Sequence, residues 1–248
     1  MADSESGGWV SLFSGGKDSS WALYRALEAG LSVSRLLTIH PSPGSYLYHV
    51  PATRLAGLAA ESIGLPLVEI DAGDLDADDP AVAADAGTQG DRELEALEAA
   101  LREMNAETPI EGVIAGAIES EFQTSRIEGM CDRLDIGLFA PLWRREPRDL
   151  APAMCDAGLE IRVLQVAARG LDASWLGRTL DREAFEELEA LNEAYGVHVM
   201  GEGGEFETLV TDGPHMSRRI ELESETEWDG TRGRVRITDA WLGETSGS

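Results

Sequence analysis

The stretch Ser14-Gly15-Gly16-Lys17-Asp18-Ser19 stands between an apolar run and a segment with helical periodicity. The run at 9–13 predicts a short buried strand, and residues 18–29 predict a helix that ends at Gly30. Adjacent glycines let the backbone turn tightly and approach a ligand closely. The first turn of the helix offers unpaired N–H groups and the positive end of its dipole. We therefore predict a phosphate-binding loop.

The charge inside this loop supports the prediction. The chain has 46 acidic and 20 basic residues, and Lys17 is its single lysine beside 19 arginines. An ammonium group is a compact positive charge suited to phosphate. Ser14 and Ser19 add hydroxyl donors, and Asp18 is placed to cap the helix or to hold Mg²⁺. A generic strand–helix turn would also contain glycines, but nothing would reserve the single lysine for it.

Strands and helices alternate through the first half of the chain, with an acidic stretch at 71–90 that reads as a solvated loop. Apolar runs predict strands at 9–13, 31–39, 65–70, 112–117 and 138–143. Such βαβ repeats build a parallel sheet, and its ligands bind beyond the carboxyl ends of the strands.

After about residue 145 the pattern changes to two helices and several strands. The helices are predicted at 147–157 and 181–195, and the strands at 160–167, 206–211, 219–223 and 234–242. The predicted fold class is therefore α/β. A parallel sheet flanked by helices, residues 1–144, would bind the nucleotide, and a smaller α+β domain, residues 145–248, would bind the acceptor.

Composition excludes several classes of protein. A net charge of −26 disfavours binding to nucleic acid or to an anionic membrane. No apolar run reaches the ~18 residues of a membrane span, and we do not expect the acidic segment at residues 1–6 to act as a signal peptide. Two cysteines, Cys131 and Cys155, cannot form a disulfide framework and are expected to be small core residues. We expect a cytoplasmic protein.

The loop differs from two common phosphate-binding patterns. The Walker pattern fails because Asp18 follows Lys17 and Ser11 takes the place of the first glycine, and the G-x-G-x-x-G pattern is absent. Ser-Gly-Gly-x-Asp-Ser after a first strand instead resembles the loop of the ATP pyrophosphatase superfamily. That resemblance implies the Rossmann-like fold of the adenine nucleotide alpha hydrolases and cleavage of ATP between its α and β phosphates.

Four further stretches resemble the diphthine–ammonia ligase family within that superfamily. They are residues 116–128, Pro141-Leu142-Trp143, residues 170–178 and Gly201-Glu202-Gly203-Gly204-Glu205-Phe206-Glu207-Thr208. The family implies that the carboxylate of diphthine on translation elongation factor 2 is amidated with free ammonium. ATP and Mg²⁺ would be used, an acyl-adenylate would form, and AMP and pyrophosphate would be released.

The resemblance also implies roles for individual residues. Lys17, Asp18, Glu202 and Glu205 are the expected catalytic residues, and Asp18 is the expected Mg²⁺ ligand. The residues expected to bind ATP are Ser14, Gly15, Gly16, Lys17, Asp18, Ser19, Thr38, Ile39, His40, His49 and Gly116. The residues expected to bind the acceptor are Glu119, Gln123, Arg126, Trp175, Gly203, Gly204 and Glu207.

Two alternatives remain at this point. Another ATP pyrophosphatase, such as an enzyme that modifies RNA, would share the loop. Sulfur transfer, nitrile synthesis and glutamine-fed amidation all call for cysteine arrangements that two isolated cysteines do not supply. A non-catalytic module that only senses ATP is the second alternative. The oligomeric state is not predicted.

An excess of carboxylates with arginine in place of lysine is typical of cytoplasmic proteins from salt-loving microbes, and the chain length fits a minimal archaeal form. We therefore expect a haloarchaeal origin and predict that stability rises with KCl. Concentrated salt shortens the Debye length to about 3 Å at 1 M, which screens repulsion between carboxylates. Unfolding curves across a KCl series would measure the effect, and full stability in dilute buffer would contradict it.

Overall fold

The computed structural model describes residues 7–40, 52–71, 86–116 and 121–244. The strands are β1 Gly8–Leu12, β2 Val33–His40, β3 Leu67–Asp71, β4 Ile110–Ile114, β5 Gly137–Phe139, β6 Glu160–Val166, β7 Phe206–Asp212, β8 Ile220–Trp228 and β9 Gly233–Leu242. The α-helices are α1 Lys17–Glu28, α2 Ala52–Ile63, α3 Ala86–Glu107, α4 Glu121–Leu134, α5 Pro147–Asp156 and α6 Arg182–Tyr195.

The first five strands form a parallel sheet in the order β3-β2-β1-β4-β5. Helices α3 and α4 pack on one face, where Leu101 and Met130 meet Val10. Helices α1 and α2 cover the other face, where Leu23 and Ala59 join the core. The predicted Rossmann-like sheet flanked by helices is confirmed.

The remaining strands form an antiparallel sheet in the order β7-β6-β9-β8. Helices α5 and α6 pack against it through Met154, Phe185 and Leu188, which share a hydrophobic cluster with Ile161 and Val163 of β6. This smaller part of the chain mixes helices with an antiparallel sheet, as predicted.

Several element boundaries differ from the prediction. Residues 71–90 are expected to form a loop, but helix α3 already begins at Ala86. The helix tolerates the two glycines in its first five residues. Strand β5 ends at Phe139, since the chain then turns and Arg144 adopts a left-handed conformation with φ of 56°. Strand β8 continues to Trp228, well past the expected end. The acidic run 74–79 lies outside the described residues.

The hydrophobic packing crosses the predicted domain boundary at residue 144. Trp21, Ala22 and Ala26 of α1 belong to the cluster that contains α5, α6 and β6. On the other side of the same helix, Leu23 belongs to a cluster that contains Leu242 of β9. Helix α1 is therefore wrapped by both sheets, and the boundary itself stays a prediction.

The surroundings of the two cysteines are those of core residues. Cys131 is buried, and burial raises the pKa of its thiol to about 11. Cys155 is half-buried, and burial also raises the pKa of its thiol. In the part of the chain that the structure describes, no helix is both long and apolar enough to cross a bilayer.

The buried imidazole of His215 generates a prediction about stability. Its ring lies 6.1 Å from that of Tyr24, and both ring nitrogens lack a hydrogen-bond partner among the described residues. Burial lowers the pKa of His215 from 6.5 to about 4, although the charge of Asp212 opposes the shift. The folded state therefore favours the neutral ring.

We predict that His215→Phe flattens the dependence of stability on pH between about 4 and 6.5. In that window the unfolded wild-type chain binds the additional proton, so its stability falls as the pH is lowered, by a total on the order of 2 kcal/mol. Denaturant unfolding of both proteins at several pH values would measure the difference. Parallel curves for the two proteins would contradict the prediction.

Candidate active site

A cavity of about 380 Å³ opens at the carboxyl ends of the parallel strands. Strand β1 pairs with β2 on one side and β4 on the other, so the strand order reverses there. Ligands of open α/β sheets bind at such a reversal. The lining residues are Leu12, Phe13, Ser14, Asp18, Ser19, Leu37, Thr38, Ile39, Ala115, Gly116, Ile127 and Glu202.

The predicted phosphate loop forms one wall of this cavity. Gly15 has a φ of 79°, a left-handed conformation that favours glycine, and Gly16 lies at the start of α1. The hydroxyl of Ser19 accepts a hydrogen bond from the Ser14 amide at 3.2 Å and donates to the Gly16 carbonyl at 3.1 Å. The loop is thus closed on itself, with the first turn of α1 facing the cavity.

Strand β7 of the second sheet holds the loop from behind. The Val210 amide donates to the Gly15 carbonyl at 2.9 Å. The Lys17 amide donates to the hydroxyl of Thr208 at 3.2 Å, a contact between residues 191 positions apart. These two bonds fix the loop to β7, so both parts of the chain help to shape the predicted phosphate-binding loop.

The charged groups of the loop are paired and largely buried. Lys17 is 4% exposed, and its ammonium lies 2.6 Å from an oxygen of Asp18 and 5.7 Å from the centre of the Phe206 ring. The other Asp18 oxygen is buried without a hydrogen-bond partner among the described residues. Burial raises the pKa of Asp18, although the charge and hydrogen bond of Lys17 oppose the shift.

Strand β2 and the end of β4 complete the cavity. Thr38 and Ile39 line it, and the Thr38 hydroxyl donates to the Phe13 carbonyl at 2.6 Å. Gly116 also lines it, and a β-carbon there would lie 2.7 Å from the backbone of Asp18. His40 is not among the lining residues, because its ring turns towards β3 and lies 2.9 Å from Glu69.

The glutamates of the 202–207 segment have different surroundings. Glu202 is exposed at the rim of the cavity. Glu205 was expected to be catalytic, but both of its oxygens accept backbone hydrogen bonds, from His198 at 3.0 Å and Gly203 at 2.9 Å. These bonds let Glu205 hold the turn, and its catalytic role stays a prediction. Gly204 supplies a left-handed residue there, with a φ of 79°. Glu207 is half-buried, which raises the pKa of its carboxyl, and it is not among the residues that line the cavity.

Trp175, which is expected to contact the acceptor, has the surroundings of a core residue, so its contact with the acceptor stays a prediction. It is 5% exposed within a hydrophobic cluster, and the Arg178 guanidinium covers its ring at 4.7 Å. Arg126 is half-buried on α4, next to Ile127, which lines the cavity. The remaining predicted residues, His49, Glu119 and the side chain of Gln123, lie outside what the structure describes.

Two residues of the site were not singled out from the sequence. Thr208 was quoted only as the end of a motif, and nothing in local spacing reveals its bond to Lys17 across the fold. His198 accepts hydrogen bonds at Nδ1 from the amides of Met200 and Glu202, at 3.2 and 3.3 Å. A histidine just before a glycine- and glutamate-rich turn is the signal that could have found it.

Two family models together match most of the chain. The model of the diphthamide synthase N-terminal domain matches residues 8–138, and that of the diphthamide synthase C-terminal domain matches residues 146–242. The chain belongs to the diphthamide synthase family. The family resemblance predicted from the sequence is therefore confirmed.

Individual relatives carry the same name along most of this chain. Diphthine–ammonia ligase of Danio rerio is 35% identical over 87% of the chain and 86% of its own length. That of Homo sapiens is 34% identical over 87% of the chain and 82% of its own length. That of Schizosaccharomyces pombe is 32% identical over 91% of the chain, but only 38% of its own length is matched.

Membership of this family makes the chain a ligase that forms a carbon–nitrogen bond. The chain matches 86% of the length of the Danio rerio protein, so chain length does not by itself indicate an archaeal origin. The expected haloarchaeal origin therefore stays a prediction that rests on composition.

We predict that Gly116→Ala weakens ATP binding by more than about tenfold and lowers stability by about 1–3 kcal/mol. The added methyl group would press on the backbone of Asp18 and Ser19, and a packed site accommodates such a group poorly. Gly57→Ala is the matched control, because a β-carbon at Gly57 meets open space. Calorimetric titration with ATP and thermal unfolding would measure both effects. Unchanged binding by the Gly116 variant would contradict the predicted cradle.

Proposed function

We propose that this chain amidates diphthine on translation elongation factor 2 with ammonium, and that ATP becomes AMP and pyrophosphate. The observation that carries the proposal is the loop Ser14–Ser19, whose backbone, single lysine and helix N-terminus converge at the switch point of the sheet. Family membership and the printed name of the relatives support diphthine and ammonia as the substrates.

Formation of an acyl-adenylate would require a group that stabilises the leaving pyrophosphate, and the loop would supply it. A carboxylate is a poor electrophile until one of its oxygens becomes part of a good leaving group. The acceptor carboxylate would attack the α phosphate of ATP, and pyrophosphate would leave. The amide groups of the first turn of α1 and the ammonium of Lys17 would stabilise the charge that develops on this leaving group.

The residues present fit a bound Mg²⁺ ion. Asp18 presents a buried oxygen with no partner among the described residues, next to the phosphate loop. Across the described ranges no group of three or more His, Cys, Asp or Glu could hold a metal unaided. Mg²⁺ commonly binds through one or two carboxylates together with substrate phosphates. When bound, the ion would neutralise charge on the leaving pyrophosphate, and Asp18 would hold it.

The surroundings of the cysteines weigh against sulfur transfer, the main chemistry of an RNA-modifying alternative. Neither Cys131 nor Cys155 lines the cavity. The raised pKa of each thiol disfavours the thiolate that such chemistry needs. A free ammonium donor is consistent with a site without a reactive thiol.

Pyrophosphate release tests the proposal directly. The purified chain is incubated with ATP, ammonium and elongation factor 2 that carries diphthine, and the factor is then analysed by mass spectrometry. We expect ammonium-dependent release of pyrophosphate together with conversion of the carboxylate to an amide. Release without a mass change on the factor would indicate another acceptor, and binding of ATP without any release would indicate a sensing module.

We predict that Lys17→Met reduces pyrophosphate release by at least about 100-fold, because a preorganised charge at the leaving group is lost. The methionine keeps most of the buried stem, but Asp18 loses its charged partner, so the melting temperature should fall while the variant stays folded at the assay temperature. Arg25→Met is the matched control, since it removes a positive charge from the same helix at an exposed position. Turnover at the wild-type rate in the Lys17 variant would refute the assigned site.

A further inference from the structure

The turn at residues 198–205 leads from α6 to β7 and carries Glu202, which lines the same cavity as Asp18. The turn lies outside the helices and strands, so its amide groups need acceptors other than a regular ladder. One backbone bond closes part of it, from the Gly201 amide to the His198 carbonyl at 2.9 Å. Other amides of the turn donate to side chains.

The imidazole of His198 is one of these acceptors. Its Nδ1 accepts hydrogen bonds from the amides of Met200 and Glu202, at 3.2 and 3.3 Å. The His198 amide in turn donates to the carboxylate of Glu205 at 3.0 Å. A ring nitrogen that accepts a hydrogen bond carries no proton, so the proton of the neutral ring lies on Nε2. These contacts assign one tautomer to His198.

The ring joins an anchored stretch of chain to an exposed one. Val197, Val199 and Met200 are at most 7% exposed and belong to the hydrophobic cluster that contains α6. Glu202, two residues further on, is exposed. Because Nδ1 of His198 bonds to the Glu202 amide, it ties the exposed part of the turn to the segment that the core holds.

We propose that His198 is a positioning residue, whose unprotonated Nδ1 holds the backbone of the turn so that Glu202 lines the cavity. This inference rests on the proposed function, in which Glu202 acts at the cavity. Glycines at 201, 203 and 204 would otherwise let the turn adopt many conformations. A shift of about 1 Å in a positioned group can cost roughly 100-fold in rate.

Two other roles for His198 make different demands on its side chain. A ring that only filled space could be replaced by another side chain of similar size. A ring that acted through Nε2 would need a polar atom at that position. The oxygen of an asparagine side chain takes the position of Nδ1, whereas the amide of a glutamine side chain reaches that of Nε2. Substitutions by these two residues therefore separate the three roles.

The kinetic test measures pyrophosphate release with ATP, ammonium and the diphthine form of the factor. His198→Ala and His198→Gln should each lower kcat/KM for the factor by about tenfold or more, because neither places an acceptor at Nδ1. His198→Asn should recover most of this loss. Asn192→Ala is the matched control, since it removes a side-chain bond of 2.9 Å to the Val197 carbonyl but leaves the bonds to Nδ1 in place. Its kcat/KM should stay near the wild-type value.

A double-mutant cycle with Glu202→Gln tests whether His198 acts through Glu202. If it does, His198→Ala should cause little further loss once the Glu202 carboxylate has been removed. Additive losses in the double variant would overturn the inference. Wild-type activity of Glu202→Gln would also overturn it, because His198 would then have no catalytic group to position.

Nitrogen NMR of protein with labelled histidines measures the tautomer without turnover. The Nδ1 resonance of His198, assigned by its absence from His198→Asn, should have the chemical shift of an unprotonated nitrogen. A protonated Nδ1 in an active wild-type protein would overturn the inference alone. Full activity of His198→Gln, or a loss in His198→Asn as large as in His198→Ala, would do the same. Wild-type protein without ammonium-dependent release would overturn the proposed function and this inference with it.

Discussion

The active site depends on two hydrogen bonds between a strand of one sheet and a loop of the other. Val210 donates to the Gly15 carbonyl, and Thr208 accepts from the Lys17 amide. Without them the loop would keep only the hydrogen bonds among Ser14, Gly16 and Ser19, and its backbone N–H groups would be held less firmly. Preorganisation of such donors is what makes them effective towards a developing negative charge. The second sheet therefore helps to build the candidate phosphate site, although the loop itself follows a strand of the first sheet.

The burial of Lys17 explains how a strongly acidic chain could still attract a phosphate group to this loop. The net charge is −26, and a charge of that size repels phosphate at long range in dilute solution. Salt screens this repulsion beyond a Debye length, but it screens a buried pair much less. Lys17 is buried, and its neighbours hold it within reach of the helix N-terminus. Local geometry thus preserves a favourable interaction that the net charge would oppose.

Much of the fold could be predicted because its signals are local. Alternating apolar runs and amphipathic segments indicated the parallel sheet, and the glycine turn with its lysine indicated the phosphate loop. The surroundings of individual site residues depend on tertiary context, which the sequence does not show. Glu205 carries a charge in a motif that looked catalytic, but its oxygens are used by nearby amides. Trp175 is expected to contact a cationic acceptor, but its ring packs in a hydrophobic cluster and is covered by the Arg178 guanidinium. The bond from Lys17 to Thr208 spans 191 positions, and no periodicity in the sequence reports such a contact.

The position of α1 has a consequence for how the molecule comes apart. One side of this helix belongs to a cluster with α5, α6 and β6, and the other side belongs to a cluster with β9. If either sheet unfolded, part of the apolar surface of α1 would become exposed to water. The two sheets should accordingly melt in a single cooperative transition rather than in two steps. The nucleotide site would then be lost as a whole, because no partly unfolded form retains both the loop and the strand that supports it.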